Sequence, residues 1–241
     1  MSRQQLNTIE LEVLKNFFKA LAKDAKKEST PSFVPHVTSI VYNCIRRCYY
    51  SVTTPIDTID LKGSIRTWIG RKLHETQILP NGKMELELNW RENNKTILTG
   101  RLDEYNGEVL LDKKTTRHIP KYPYPHHIKQ IELYNLLLEK DLDQTAKYGA
   151  IMYVDINLAD TKIFAFSLPQ DLNVLEQEVK EKYAILDKAL KTGVLPPRLI
   201  QQWEPGSIGL VCHYCNYYGR CWQEDYIDPF RCFAKTNEES K

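Results

Sequence analysis

Met84, Leu86, Leu88 and Trp90 alternate with Glu85, Glu87 and Asn89, the period of two that marks a strand with one face against a core. Asn93-Asn94 turns the chain, Thr96 to Asp103 runs back, and Val109 to Lys114 follows, so the three runs predict an antiparallel meander. Asn106-Gly107 stands between the last two runs. Asn-Gly is a strong hairpin signal, because both central residues of a type I′ turn take positive φ. A two-residue loop there sets Tyr105 opposite Glu108 and Asp103 opposite Leu110. Asp103, Asp112 and Lys114 then share a face, with the two aspartates diagonal neighbours about 7–8 Å apart. Tyr148 to Val154 and Thr161 to Leu168 read as a second hairpin that finishes the sheet.

Helical spacing appears in the remaining segments. Leu14, Phe17, Phe18 and Leu21 recur within an amphipathic stretch from about Thr8 to Lys27, which Ser29 to Pro35 breaks with two prolines. Thr38 or Ser39 is a natural cap for a second helix through Cys44 to Tyr50. Ser64 starts a third, with Ile65, Trp68, Ile69 and Leu73 on one face and His74 beside that stripe. Pro125 suits a first helical position, and Ile128, Ile131 and Leu138 carry that helix to about Lys140. Gln130 and Tyr134, four apart, lie on one side of it. Asp171 to Leu190 has the acid and lysine pairs of a solvated helix, and Gly193 to Gly209 is a Pro- and Gly-bearing connector.

A chain of 241 residues buries a substantial core and fits one domain with an appended module. Its 33 lysines and arginines against 31 acids do not advertise a nucleic-acid binder, so any electrostatic footprint must be local. One such region exists. From Lys113 to Lys129 the chain carries Lys113, Lys114, Arg117, Lys121 and Lys129 with no acid, interleaved with His118, Tyr122, Tyr124, His126 and His127. Such a run is commonly a solvated face, but basic groups among stacking aromatics are also what a single-stranded backbone needs. No run of about 18 apolar residues is present, which argues against a membrane span. The polar start of the chain argues against a secretory signal, and a cytoplasmic protein is expected.

Two carboxylates converging from Asp103 and Asp112 can hold one hard cation, with the Lys114 ammonium beside it, a donor set suited to phosphodiester hydrolysis. The same pattern also describes a solvated hairpin face. The six cysteines of a cytoplasmic protein read first as ligands. Cys212, Cys215 and Cys221 supply three thiolates within ten residues. A fourth comes from elsewhere, with Cys232 the local candidate. Four thiolates suit either Zn²⁺ or an iron–sulfur cluster, and spacing alone leaves both open.

Taken together and in order, Tyr42-Asn43-Cys44-Ile45-Arg46-Arg47, His74, Gly100 to Asp103, Asp112-Lys113-Lys114-Thr115, Gln130 to Tyr134 and the Cys212-x-x-Cys215-x5-Cys221 module carry a resemblance. The chain resembles the RecB-type exonucleases of the PD-(D/E)xK superfamily, and within them the CRISPR-associated Cas-four family, over nearly its whole length. The resemblance implies a mixed α/β restriction-endonuclease-like core. Residues 1–60 would form a helical region contributing the first cluster cysteine, 61–195 the nuclease core, and 196–241 a cysteine-rich module. It further implies that His74, Asp103 and Asp112 ligate Mn²⁺ or Mg²⁺, that Lys114 is the catalytic lysine, and that Gln130 and Tyr134 contact substrate. Cys44, Cys212, Cys215 and Cys221 would enclose a [4Fe–4S] cluster, with Cys48 and Cys232 as departures from a minimal set.

The activity so implied is metal-dependent exonuclease cleavage of single-stranded DNA, 5′ to 3′, that prepares ends for spacer acquisition alongside integrase proteins; self-association stays open. Two other readings remain: a repair-associated nuclease like the iron–sulfur domain of AddB, and a non-catalytic DNA-end-binding subunit of the adaptation complex. No Gly-x-x-x-x-Gly-Lys run supplies a helicase motif for the first. Turnover separates the second.

Overall fold

The computed structural model describes residues 10–13, 15–17, 19, 34–54, 61–198, 212, 215 and 217–223. The expected Thr8–Lys27 helix is helical and exposed where it is described; Leu14, Phe18 and Leu21, like Cys232 and Trp203, lie outside the described residues.

Two short helices, α1 (Val37–Ile40) and α2 (Ile45–Thr53), precede α3 (Leu61–His74). Then come β1 (Lys83–Glu92), β2 (Lys95–Tyr105), β3 (Val109–Thr116), α4 (Pro125–Leu142), β4 (Tyr148–Asp155), β5 (Asp160–Ser167), α5 (Asn173–Thr192) and α6 (Tyr218–Gln223). The strands form one sheet in the order β1-β2-β3-β4-β5. All neighbours are antiparallel except β3 and β4, which run parallel because α4 returns the chain to the same end. This is the mixed α/β architecture expected from the alternating runs.

Residues 38–50 differ from the single helix expected of them. α1 stops at Ile40, the chain turns through Asn43 with a φ of 57°, and Cys44 becomes the extended residue before α2. His36, not Thr38 or Ser39, precedes α1, and its ring accepts the Thr38 N–H at 3.4 Å. The Asn106-Gly107 turn also differs. Gly107 alone takes a positive φ, 96°, so the turn is not type I′. Instead the Asn106 side chain accepts the N–H groups of Glu108 (3.1 Å) and Val109 (2.9 Å), a use open to a short amide. The loop lengthens, and Tyr105 pairs with Leu110 rather than Glu108. A register moved by two keeps Asp112 and Lys114 on their expected face of β3.

The main core lies between the sheet and α4, where Ile131, Leu133, Leu136, Leu137 and Leu138 meet Leu88, Leu98, Leu102 and Leu110. A smaller cluster on the opposite face joins Leu111, Ala150 and Met152 to Leu73 and Leu79 at the end of α3. Packing is close at Gly100. A Cβ there would lie 2.8 Å from both Tyr134 and Val37 and 3.0 Å from Leu137. Gly100→Ala is therefore expected to cost about 1–3 kcal/mol, the usual range for overpacking, as measured by denaturant unfolding.

Candidate active site

The site is built where β2 and β3 part. Their ladder pairs only Glu104 with Leu111 and Tyr105 with Leu110. Above it, Asp103 Oδ2 reaches across to accept the Lys113 N–H at 2.6 Å. Strand alternation slips at this rung. Leu102 and Tyr105 both enter the main core, whereas Glu104 accepts N–H groups from the segment after α3; an unbroken strand would put Leu102 and Glu104 on one face. In β1 the residue opposite Asp103, between the pairs Met84–Glu104 and Leu86–Leu102, is Glu85, and its φ is 50°. The paired irregularities turn both carboxylates toward the end of α3.

His74, the last residue of α3, completes the group. One ligand atom from each of His74, Glu85 and Asp103 lies within 4.8 Å of the others. His74 Nδ1 is 2.9 Å from Asp103 Oδ2, yet this buried nitrogen has no hydrogen bond. The two atoms meet at the distance that separates two ligands of one ion, or an imidazolium from a carboxylate. Arg101 Nε holds the outer side of Glu85 at 2.9 Å.

Asp112 and Lys114 alternate along β3 onto the α4 side. Asp112 is 2% exposed; its Oδ1 accepts from Lys114 Nζ at 2.9 Å and its buried Oδ2 has no partner. Burial pushes the Asp112 carboxyl up to about 6, Lys114 pulls it back, and the Asp103 carboxylate adds to the rise. Burial lowers the Lys114 pKa, but Asp112 and Asp103 more than compensate and hold it above the ordinary lysine value. Orphaned nitrogen and oxygen atoms, both buried and next to a lysine, are a donor set that a hard divalent cation fits. Because cation binding at Asp112 competes with its proton, Mn²⁺ affinity is expected to fall about tenfold per pH unit below about pH 6 and to level off above it. Calorimetric titration across that range checks this.

The basic and aromatic run lies on the same side. Tyr124 stacks on His126 with centroids 5.5 Å apart, and Tyr42 reaches His126 at 5.7 Å with the Arg47 guanidinium over its ring. His127 Nδ1 lies 2.7 Å from the Tyr153 hydroxyl. Burial, Lys114 and then His126 push His127 down to about 3, and burial and Lys114 lower His126, so both rings are neutral at neutral pH. Tyr122 and Tyr124 stand 69% and 43% exposed, leaving part of this aromatic surface open. Gln130 and Tyr134 are buried, and Gln130 Nε2 donates to the Tyr134 hydroxyl at 3.2 Å. Burial and then the Asp112 charge push the Tyr134 phenol well above its usual range.

Four of the cysteines form a second group. Burial raises the Cys212 thiol to about 11, and Cys44, Cys215 and Cys221 each add to the rise, which places the four in one another's field. The α6 segment docks on α2 through Tyr217 stacked on Tyr50 (5.7 Å) and Arg220 bonded to Thr54 (2.9 Å). Arg198 donates to the Cys221 carbonyl at 2.9 and 3.2 Å. Cys48 stands aside, packed with Ile45 and Leu186; burial, reinforced by Cys44, pushes its thiol to about 12, which makes it a core residue.

Residues 59–222, well over half of the chain, match the PD-(D/E)XK nuclease superfamily. The protein belongs to the PD-(D/E)XK nuclease superfamily. In this PD-(D/E)XK nuclease the matched stretch contains His74, Glu85, Asp103, Asp112, Lys114, Gln130, Tyr134 and the Cys212-Cys215-Cys221 module, while Cys44 lies outside it. Among solved structures its fold is similar to that of SSO0001, with a TM-score of 0.55 and 16% identity over 87% of this chain and 95% of that one. More distant are the alkaline exonuclease LHK-Exo from Laribacter hongkongensis (TM-score 0.40, 12% identity, 65% of this chain and 89% of that one) and LHK-Exo in complex with dAMP (0.35, 13%, 65% and 89%). A search of curated proteins gave no match. Among the described residues no helix is long and apolar enough to cross a membrane.

Of the residues that sequence reasoning nominated, His74 and Asp103 come into direct contact, and Asp112 and Lys114 pair beside them. Glu85 was missed. In the alternating run it reads as one more solvent-facing acid, and no local signal announces its positive φ.

Proposed function

We propose that the protein is a metal-dependent DNA exonuclease acting on single-stranded ends, of the RecB type and similar to the CRISPR-associated Cas-four family. The observation that carries this is the meeting of His74 Nδ1 and Asp103 Oδ2 at 2.9 Å, beside the Asp112–Lys114 pair, with buried His74 and Asp112 atoms lacking partners. His74, Asp103 and Asp112 hold the cation, and Glu85 is a further ligand. Mg²⁺ or Mn²⁺ bound there supplies charge to polarise the scissile phosphate and to acidify a water. Lys114, kept protonated by its two aspartates, offsets charge that develops on the phosphate. Tyr42, Tyr124 and His126, partly open, offer ring faces to unpaired bases, and Arg47, Arg117 and Lys121 follow the backbone. Gln130 and Tyr134 support the carboxylates from below and set the phosphate against them.

In this reading Cys44, Cys212, Cys215 and Cys221 hold a [4Fe–4S] cluster that ties residues 1–60 to a module at 196–241 around a nuclease core at 61–195. The 5′ to 3′ polarity, the action on ends destined for spacer integration and the integrase partners follow from the family resemblance. Digestion of end-labelled single- and double-stranded DNA under a Mn²⁺ titration tests the activity. Processive shortening of the single strand is expected, and DNA binding without metal-dependent product would favour the non-catalytic subunit. Anaerobically purified protein should be brown and carry about four iron atoms per chain; colourless protein with stoichiometric zinc would remove the cluster. Glu85→Gln should weaken Mn²⁺ binding about tenfold, read by calorimetry.

A further inference from the structure

Among the described residues, the most deeply buried charges take no part in the proposed cleavage. Lys113 and Glu104 are both fully buried, with Lys113 Nζ 3.0 Å from Glu104 Oε2. They lie on the α3 side of the sheet, away from Lys114. Lys113 Nζ also donates to the Thr76 carbonyl at 2.5 Å and the His74 carbonyl at 3.4 Å. These carbonyls end α3 and its following turn, where helical donors run out and a cation is favoured. Glu104 accepts the N–H of Ile78 at 2.9 and 3.0 Å and that of Leu79 at 2.5 Å. Gly82 leaves room for it, since a Cβ there would lie 2.7 Å from Glu104 Oε1.

Glu104 follows Asp103 in β2, and Lys113 follows Asp112 in β3. The ammonium of Lys113 holds the carbonyl of His74 itself. One buried pair, one member on β2 and the other on β3, therefore ties both strands to the backbone at the end of α3, and so links the three segments that carry His74, Asp103 and Asp112. A buried ion pair is a weak source of net stability, because desolvation offsets the attraction, whereas orienting groups behind metal ligands govern affinity strongly.

We propose that Lys113 and Glu104 are positioning residues that set the His74 imidazole against the two aspartates for a divalent cation. This rests on the cation reading of the site. A purely structural pair would move stability and cation affinity together; a positioning pair separates them.

The test is the double variant E104Q/K113M of the full chain. The introduced glutamine keeps an acceptor for Ile78 and Leu79, the introduced methionine fills the space of the lysine stem, and no charge is left unpaired. Mn²⁺ affinity is read by calorimetry beside thermal unfolding. The unfolding midpoint should fall far less than for Lys113→Met alone, the His74 and Thr76 carbonyls still losing a donor, while the Mn²⁺ Kd rises about 10–100-fold. In a His74→Ala background the same pair should add less than about twofold, since the ligand it orients is gone. Gly82→Ala, which keeps both charges and only crowds Glu104, should give a smaller loss with the same dependence on His74, and it serves if the double variant fails to fold. Wild-type affinity in a folded variant, or losses that multiply with His74→Ala, would overturn the positioning role. Wild-type protein whose Mn²⁺ affinity ignores His74→Ala would overturn the cation reading itself, and this role with it.

Discussion

Replacing Asp103 with asparagine is expected to slow DNA cleavage by about 10³-fold or more, since several kcal/mol of charge stabilisation are lost with the anionic ligand. Asp103 is the member of the group tied to each of the others by contact, proximity or charge. It lies 2.9 Å from His74, within 4.8 Å of a Glu85 oxygen, and close enough to Asp112 to raise its pKa. Asparagine removes the negative charge but keeps an oxygen for the Lys113 N–H, which Asp103 Oδ2 accepts at 2.6 Å. Thermal stability should therefore hold, or rise slightly as the repulsion of Asp112 is relieved. Single-turnover cleavage of end-labelled DNA at saturating Mn²⁺, run beside an unfolding curve, reads both quantities. Retained Mn²⁺-dependent cleavage by a folded Asp103→Asn protein would remove this mechanism.

The second large effect is on stability. Lys113→Met alone leaves the Glu104 carboxylate at zero exposure with its cation gone, a loss of about 3–5 kcal/mol for a broken buried pair. For a chain of this size that corresponds to a fall of about 10 °C or more in unfolding midpoint. The carbonyls of His74 and Thr76 also lose their donor. A midpoint within a few degrees of wild type would mean that water reaches Glu104 and that the pair is not sealed.

Much of this could be read along the chain. The alternation from Met84 to Trp90 and the hydrophobic spacing after Pro125 are local signals, and the strands and helix they predict occur with boundaries only a few residues different. The Asn106-Gly107 turn illustrates how a wrong detail leaves a right conclusion. Its type and length differ from the expectation, but the register moves by two, and a period of two returns Asp112 and Lys114 to their face. The helix expected through Cys44 instead starts after it, because Asn43 accepts a left-handed conformation that spacing does not reveal.

The residues that complete the site were silent for a different reason. Glu85 and Glu104 sit in runs where an acid is ordinary, and Lys113 is one of two adjacent lysines. Only the slip of β2 at Asp103, matched by the positive φ of Glu85, turns one acid toward His74, and only the docking of α3 seals Glu104 with Lys113. Sequence by itself determined most of the elements, because they rest on short-range periodicity, and its ordered motif residues carried the resemblance to the superfamily. Tertiary structure decided which charges meet and which are buried, since convergence and desolvation arise between segments far apart in the chain and leave no mark within any one of them.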